Sequence, residues 1–373
     1  MIILLSALFL AFSNGANDNF KGVATLLGSK TTTYKIALSW ATITTLLGSA
    51  VAFFFAQKLI ANFSGKGLVP ADVVALSSFT ASVALASAST VFLATRFGFP
   101  ISTTHAITGA LVGAGLFASA SGVNFSQLVS TFFLPLIISP LLAIAGAIAI
   151  YPILSRMRKR FKVERESCLC LGNEVLVSAP ADVPHGNLAA MISVANFPTI
   201  SVGTQITCEK RYVGKIWGIN AKKVLDLGHF ISSGLVSFAR GLNDTPKIAA
   251  LLLAGQHFSG MNATGGVGIV IGIGGLIMSR RIADTMSFQI TEMNDGQAFS
   301  ANLVTSAIVL GASHIGVPVS TTHVSCGSLF GIGAVTKQAH WGSILKIILA
   351  WVVTLPIASL LGLLSFLLLR GVI

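Results

Sequence analysis

The sequence predicts an all-α polytopic membrane fold made of two inverted-topology repeats. Each repeat has about five membrane segments, with helices broken or re-entrant at repeated motifs. Three observations carry this reading: the scarcity of charge, the spacing of long apolar runs, and a pair of motifs that occurs twice in the same order. Of 373 residues, 53% are hydrophobic and only 10% are charged, where a soluble domain carries about 25%. Twelve acidic and 24 basic residues cannot cover the surface of a soluble protein of this length. The composition excludes a cytosolic enzyme and equally a disordered chain. What remains is a protein whose apolar surface faces lipid.

A span takes about 20 apolar residues. Runs of that order fall near 1–28, 34–62, 72–95, 100–119 and 125–154, and again near 224–255, 262–279, 286–312, 318–335 and 344–369. Residues 2–12 (IILLSALFLAF) resemble a leader core. No basic residue precedes them, and SNGANDNFKG follows in place of a small-residue cleavage site, so they read as part of a retained helix. The run at 100–119 is short and either crosses or re-enters. Between the two sets of five, a segment opens with SRMRKRFKVERE and then alternates through short β-branched stretches with Gly and Pro punctuation, the pattern of a small strand-rich loop. The chain thus divides into a first repeat at 1–154, a basic, partly strand-like loop at 155–221, and a second repeat at 222–373.

Residues 155–223 hold eleven Lys or Arg against five Asp or Glu, half of the net charge of +12. Positive loops stay in the cytoplasm. The central loop is therefore placed inside a cell membrane, inner or plasma, and five crossings per half put both termini outside. Lys30, Lys35, Arg96, Arg280, Arg281 and Lys337 then fall inside as well. The basic excess reads as topology, and no nucleic-acid partner is expected. The four cysteines, Cys168, Cys170, Cys208 and Cys326, form no CxxC pair and no zinc quartet, and read as free thiols in a reducing setting.

The repeat is explicit. Residues 15–21 read GANDNFK and 241–247 read GLNDTPK; residues 98–105 read GFPISTTH and 316–323 read GVPVSTTH. Gly109 and Gly327 follow at matching spacing. An odd number of crossings per repeat gives the halves opposite orientation, and inverted repeats that meet at the midplane are a common architecture of secondary transporters.

Asn17-Asp18 and Asn243-Asp244 lie in apolar surroundings, where a carboxylate is expensive and faces a polar interior. Capping is the ordinary role of such residues. Two related copies at membrane depth point instead to a cation site. Carboxylate, amide oxygen and freed backbone carbonyls form a hard-oxygen set suited to a small monovalent cation. Lys21 and Lys247, three residues after each Asp, either pair with it or snorkel to the interface. Ser102-Thr103-Thr104 and Ser320-Thr321-Thr322 each follow a proline and open an apolar helical run, a helix-start signature. Their N–H groups, dipoles and hydroxyls suit an anion. Two such starts face to face would surround a tetrahedral oxyanion such as phosphate.

No buried arginine enters this reading: neutral donors release an anion readily, and sodium at Asp18 and Asp244 supplies positive charge only while bound. His105 and His323 close the motifs as proton relays or packing residues. Glu292 is either a further ion ligand or a mouth residue. Asn302 lies on the same run, and neither has a polar mate in the first half, where Val74 and Ala84 stand.

With GANDNFKG, GLNDTPK, PISTTHAITGA and PVSTTHVSCGS in hand, the chain resembles the inorganic phosphate transporter (PiT) family over nearly all its length except about 165–221. The resemblance implies inverted repeats, phosphate as substrate, sodium coupling in some members and proton coupling in others, and a homodimer. The family motifs fall on Asn17, Asp18, Ser102, Thr103, Thr104, Asn243, Asp244, Ser320, Thr321 and Thr322. Some sodium-coupled members carry glutamate where this chain has Asn302, and another in the second span, where it has Thr42, Thr44 and Thr45.

The leading reading is a sodium-coupled phosphate symporter working by alternating access. No cofactor is implied beyond sodium as a co-transported ligand, and the partners are phosphate, sodium and the bilayer. The alternative is a proton-coupled carrier of phosphate or metal–phosphate. An intramembrane hydrolase would not need its motif in both halves, and a passive channel would not need acids beside its anion.

Overall fold

The computed structural model describes residues 1–119, 122–164, 166–177, 192–194, 199–204, 212–254 and 260–372. The first half runs α1 (Ile2–Asp18), α2 (Ala24–Gly28), α3 (Tyr34–Phe55), α4 (Gln57–Phe63), α5 (Ala71–Val74), α6 (Ser77–Arg96), α7 (Thr103–Ala118) and α8 (Phe125–Arg160), the last with a π-helical stretch over Leu128–Phe133. The second half runs α9 (Ala221–Ala254), α10 (Gly260–Met278), α11 (Arg280–Phe288), α12 (Asp295–Ile315), α13 (Thr321–Thr336) and α14 (Trp341–Leu369). Six of these, α3, α6, α8, α10, α12 and α14, are long and apolar enough to cross a membrane. Burial separates inner from outer helices: the most apolar window of α6 is 72% buried, against 22% in α8 and 28% in α14. The two outer helices present Leu141, Leu142, Ile153, Leu349, Val352 and Leu360 outward, as a lipid-facing surface should.

Two compact units divide the chain. One joins Met1–Pro152 with His229–Ile373, and the other is Ile153–Gly228. Within the first, helices of the two halves interlock through glycines. Gly15 of α1 lies against the backbone of Ile271 in α10, and Gly241 of α9 against that of Thr45 in α3. Gly109 of α7 meets Leu355 of α14, and Gly327 of α13 meets Pro140 of α8. A Cβ at Gly15 would stand 1.9 Å from the Ile271 carbonyl oxygen and one at Gly241 2.2 Å from that of Thr45, so only glycine allows these helices to touch. Each contact has a counterpart with the halves exchanged.

The unit at Ile153–Gly228 holds a small antiparallel sheet. Strand β1 (Ser167–Val177) pairs with β2 (Ile192–Val194), β3 (Thr199–Thr204) and β4 (Tyr212–Asn220), with Cys168 opposite both Gly203 and Asn220. The two-residue alternation of a strand buries Cys168 and Cys170 and exposes Leu169 and Leu171. Free thiols were expected throughout. Cys168 and Cys326 are free, but Cys170 is disulfide-bonded, which corrects that expectation. Cys208 lies outside the described residues.

Two boundaries depart from the sequence reading. The apolar run at 286–312 begins its helix only at Asp295, because Asn294 and Gln297 form a reciprocal capping box there. A helix break was also expected at both Asn-Asp motifs, and only the first breaks. Helix α1 ends at Asp18 and the chain turns through 19–23 before α2, whereas α9 runs unbroken through Asn243, Asp244 and Pro246. In the first copy Gly22 follows and fits against Ser237. In the second, Ile248-Ala249-Ala250-Leu251 follow, residues that carry a helix forward.

Candidate functional site

The site forms where the ends of α1, the middle of α9 and the starts of α7 and α13 converge. Ser102 and Ser320 are the N-caps of α7 and α13, with nearly identical backbone angles (φ −94°, ψ 117° and φ −96°, ψ 114°). Each hydroxyl accepts the N–H three residues on, from His105 at 3.1 Å and from His323 at 3.2 Å. The serines therefore play the capping role. The threonines after them turn inward. Thr103 Oγ1 donates to Asp18 Oδ2 (3.1 Å) and Thr321 Oγ1 to Asp244 Oδ2 (3.3 Å). Thr104 Oγ1 donates to the Val319 carbonyl (3.2 Å) and Thr322 Oγ1 to the Ile101 carbonyl (2.8 Å). The last two bonds tie each helix start to the strand of chain that precedes the other, so the two motifs meet.

Lys21 and Lys247 do not snorkel. Both are buried and paired. Lys21 Nζ donates to Asn17 Oδ1 (2.7 Å), the Ile101 carbonyl (2.9 Å) and Thr322 Oγ1 (2.6 Å), and forms a close ion pair with Asp18. Lys247 Nζ donates to Thr104 Oγ1 (2.8 Å), the Val319 carbonyl (2.8 Å) and Asp244 Oδ1 (3.2 Å). Exchanging the halves turns one set into the other except for the Asn17 bond, which has no counterpart at Lys247 among the described residues. Asn17 and Asn243 complete the frame: Asn17 Nδ2 reaches Thr95 Oγ1 and the Phe99 carbonyl, and Asn243 Nδ2 reaches Asp244 and the Val319 carbonyl.

One group breaks the symmetry, and sequence reasoning missed it. Arg240 stands in the position that Asn14 holds in the first half, and both are buried. Its Nη2 donates to Asn19 Oδ1 (2.8 Å) and Thr45 Oγ1 (2.8 Å), its Nη1 to Asn14 Oδ1 (3.4 Å), and its Nε finds no partner among the described residues. Asn14 Nδ2 in turn contacts Asp18 Oδ2 (2.8 Å), Thr103 Oγ1 (3.0 Å) and, more loosely, Asp244 Oδ2 (3.5 Å). The expectation of a centre without arginine is thus corrected. The signal was available: Arg240 is a charge inside an apolar run, immediately before the Gly of the second motif. The buried centre carries Asp18 and Asp244 against Lys21, Lys247 and Arg240, which leaves one formal positive charge.

The remaining candidates lie elsewhere. His105 and His323 pack edge to face with ring centroids 4.4 Å apart, and His323 lies 3.9 Å from the Trp351 ring. Glu292 is exposed in the turn before α12, because the helix starts later than the apolar run suggests. Asn302 belongs to a separate buried polar cluster, where it bonds Thr25 Oγ1 (3.0 Å) and Ser232 Oγ (3.4 Å) and where His229 also reaches Thr25 (3.1 Å). Neither Glu292 nor Asn302 joins the ionic centre.

A polytopic fold with two related halves, meeting at a buried polar centre of helix starts and balanced charges, is the architecture of a membrane carrier. Comparison makes the class particular: residues 14–362 match the phosphate transporter family, and the chain belongs to that family. Its members are transporters and not enzymes. The chain is 28% identical to a putative phosphate permease of Thermococcus kodakarensis, with 97% of this chain and 95% of the relative covered. It is 28% identical to a probable low-affinity inorganic phosphate transporter of Rhizobium meliloti, over 98% and 94% of the two chains. A solved structure described as the sodium-dependent phosphate transporter superposes with a TM-score of 0.76 at 20% identity, covering 100% of this chain and 99% of that one.

Proposed function

We propose that this chain carries inorganic phosphate across a cell membrane by alternating access, the two inverted halves exchanging which side reaches the centre. The observation that carries the reading is the meeting of two STT helix starts from different halves beside a buried cluster with one positive charge in excess. Hydroxyls and helix N-termini suit a phosphate, and the excess charge favours an anion over a cation. Thr104 and Thr322 now bond the opposite half, so admitting phosphate between them means parting the halves, which is the motion alternating access needs.

In the sodium-coupled form of this reading, Asn17, Asp18, Asn243 and Asp244 hold the co-transported ions, and sodium dependence is what the solved neighbour's description says of that protein. One observation favours the alternative form, in which the coupled ion is a proton: both carboxylates already hold an ammonium group. A homodimer with the central loop inside and both termini outside belongs to the same proposal. The test is uptake of labelled phosphate into liposomes containing the purified chain, with sodium and proton gradients imposed separately. Uptake no faster than in protein-free liposomes under every gradient sinks the proposal.

A further inference from the structure

We infer that Lys21 and Lys247 are the carrier's own counter-cations: their ammonium groups occupy the oxygen cages that a co-transported sodium ion would need, so that phosphate binds without sodium. The inference rests on the phosphate-carrier reading above and goes beyond it by assigning the cation.

The donor sets make the argument. Around the Lys21 ammonium stand a carboxylate (Asp18), an amide oxygen (Asn17), a main-chain carbonyl (Ile101) and a hydroxyl (Thr322). Around that of Lys247 stand a carboxylate (Asp244), a carbonyl (Val319) and a hydroxyl (Thr104). These are the hard, singly negative oxygen sets that the sequence assigns to a small monovalent cation. An ammonium has three hydrogens to give, and in both cages all three find oxygen. Both lysines sit at equivalent positions of the repeat, three residues after the aspartate. At 3% and 0% exposure neither reaches an interface, so an interfacial role is excluded.

Position adds to composition. Each ammonium bridges the carboxylate of its own half and the STT hydroxyl of the other half. It therefore stands between the acid and the anion site, where a coupling cation would act by direct attraction. A sodium ion could enter only by displacing the ammonium from its carboxylate, leaving a charged group unpaired in the same buried space, which is strongly unfavourable. The charge balance agrees. With the lysines in place the centre already carries one positive charge beyond its carboxylates, enough for a phosphate monoanion. Two sodium ions would raise the excess to three.

The test measures binding of labelled phosphate to the purified full chain in sodium and in choline at fixed ionic strength. For the parent, the affinities in the two salts should agree within twofold. Lys21→Asn and Lys247→Asn should each lose tenfold or more in choline and recover in sodium but not in potassium, creating a sodium dependence the parent lacks. A parent whose affinity rises tenfold with sodium overturns the inference, and so do variants that match the parent in choline or whose loss sodium does not restore. If a variant fails to fold, the parent comparison still decides, supported by direct sodium titration, which should show no sodium uptake with phosphate bound. If the parent binds no phosphate in either salt, the carrier reading itself has failed, and that outcome is distinct from sodium-dependent binding.

Discussion

The two halves of the centre use one design with unequal parts. In the first, the chain breaks after Asp18, and Lys21 folds back into a cage of four oxygens. In the second, the helix runs straight through Asp244 and Pro246, and Lys247 finds three. Where the first half has Asn14, the second has Arg240. The difference shows which features the repeat must keep. The Asp–Lys pairs and the crossed threonine bonds survive in both copies, so they belong to the repeated design. The backbone break does not survive: Gly22 follows the first motif where Ile248 follows the second. The arginine occurs once, and all its hydrogen bonds go to first-half residues, Asn14, Asn19 and Thr45.

The largest effect should come from breaking one ion pair. Asp18→Asn leaves a buried ammonium without its carboxylate, and removing one partner of a buried pair costs about 3–5 kcal/mol. Asp244→Asn should cost less, because Asn243, Lys247 and Thr321 hold its carboxylate at 3.0, 3.2 and 3.3 Å, whereas Asn14 reaches Asp18 at 2.8 Å. Unfolding in detergent measures both. The reverse order would make the second copy the structural one. Next comes the unmatched charge. At separations of about 6–8 Å and an effective dielectric of about 20, one charge is worth about 2–3 kcal/mol to a bound anion. Arg240→Met should therefore weaken phosphate binding roughly 30- to 150-fold, and Arg240→Lys should keep most of it. Equal binding by Arg240→Met and the parent would remove the arginine from the anion's field.

A smaller effect tests the symmetry directly. Thr104→Val and Thr322→Val keep shape and remove one hydroxyl each. A hydrogen bond to a charged group is worth about 1.5–3 kcal/mol, so each variant should lose roughly 10- to 100-fold in phosphate affinity. Because the two hydroxyls make equivalent bonds, the two losses should agree within about threefold. Parent-like binding by both would leave these threonines as packing residues, and a loss confined to one would place phosphate off the axis.

The apolar runs and the motif repeat made the helix content and the meeting of the STT segments legible before any coordinates. Apolar periodicity and turn chemistry are local signals, and a duplicated motif constrains its partner in space. What stayed hidden was relational. Whether Lys21 snorkels or pairs depends on the Ile101 carbonyl and the Thr322 hydroxyl, 80 and 301 residues away. Arg240 could be seen as a misplaced charge, but its partners Asn14, Asn19 and Thr45 are assembled only by the packing of α9 against the first half. Glu292 misled because an apolar run does not reveal where a capping box starts the helix. The disulfide at Cys170 stayed hidden too, because cysteine spacing alone does not encode pairing.

The smallest effect concerns the helix that does not break. A proline inside a helix removes one hydrogen bond and costs about 3 kcal/mol in an ordinary host, yet α9 continues through Pro246 with the residue fully enclosed among buried neighbours. Pro246→Ala returns an N–H to the residue after Thr245 and allows a bond to the Leu242 carbonyl one turn back. It also loses the packing of a buried ring. The two changes oppose each other, and the net effect on stability should be within about 1 kcal/mol of the parent, far below that of Asp244→Asn two residues away. Transport separates the remaining possibilities. If Pro246 is only tolerated, uptake should be unchanged along with stability. If the second half flexes there, taking up in motion the break that the first half has permanently at residues 19–23, uptake should slow several-fold while phosphate affinity and unfolding midpoint stay at parent values. That pattern would show that the two copies differ in when they break, not in whether they can.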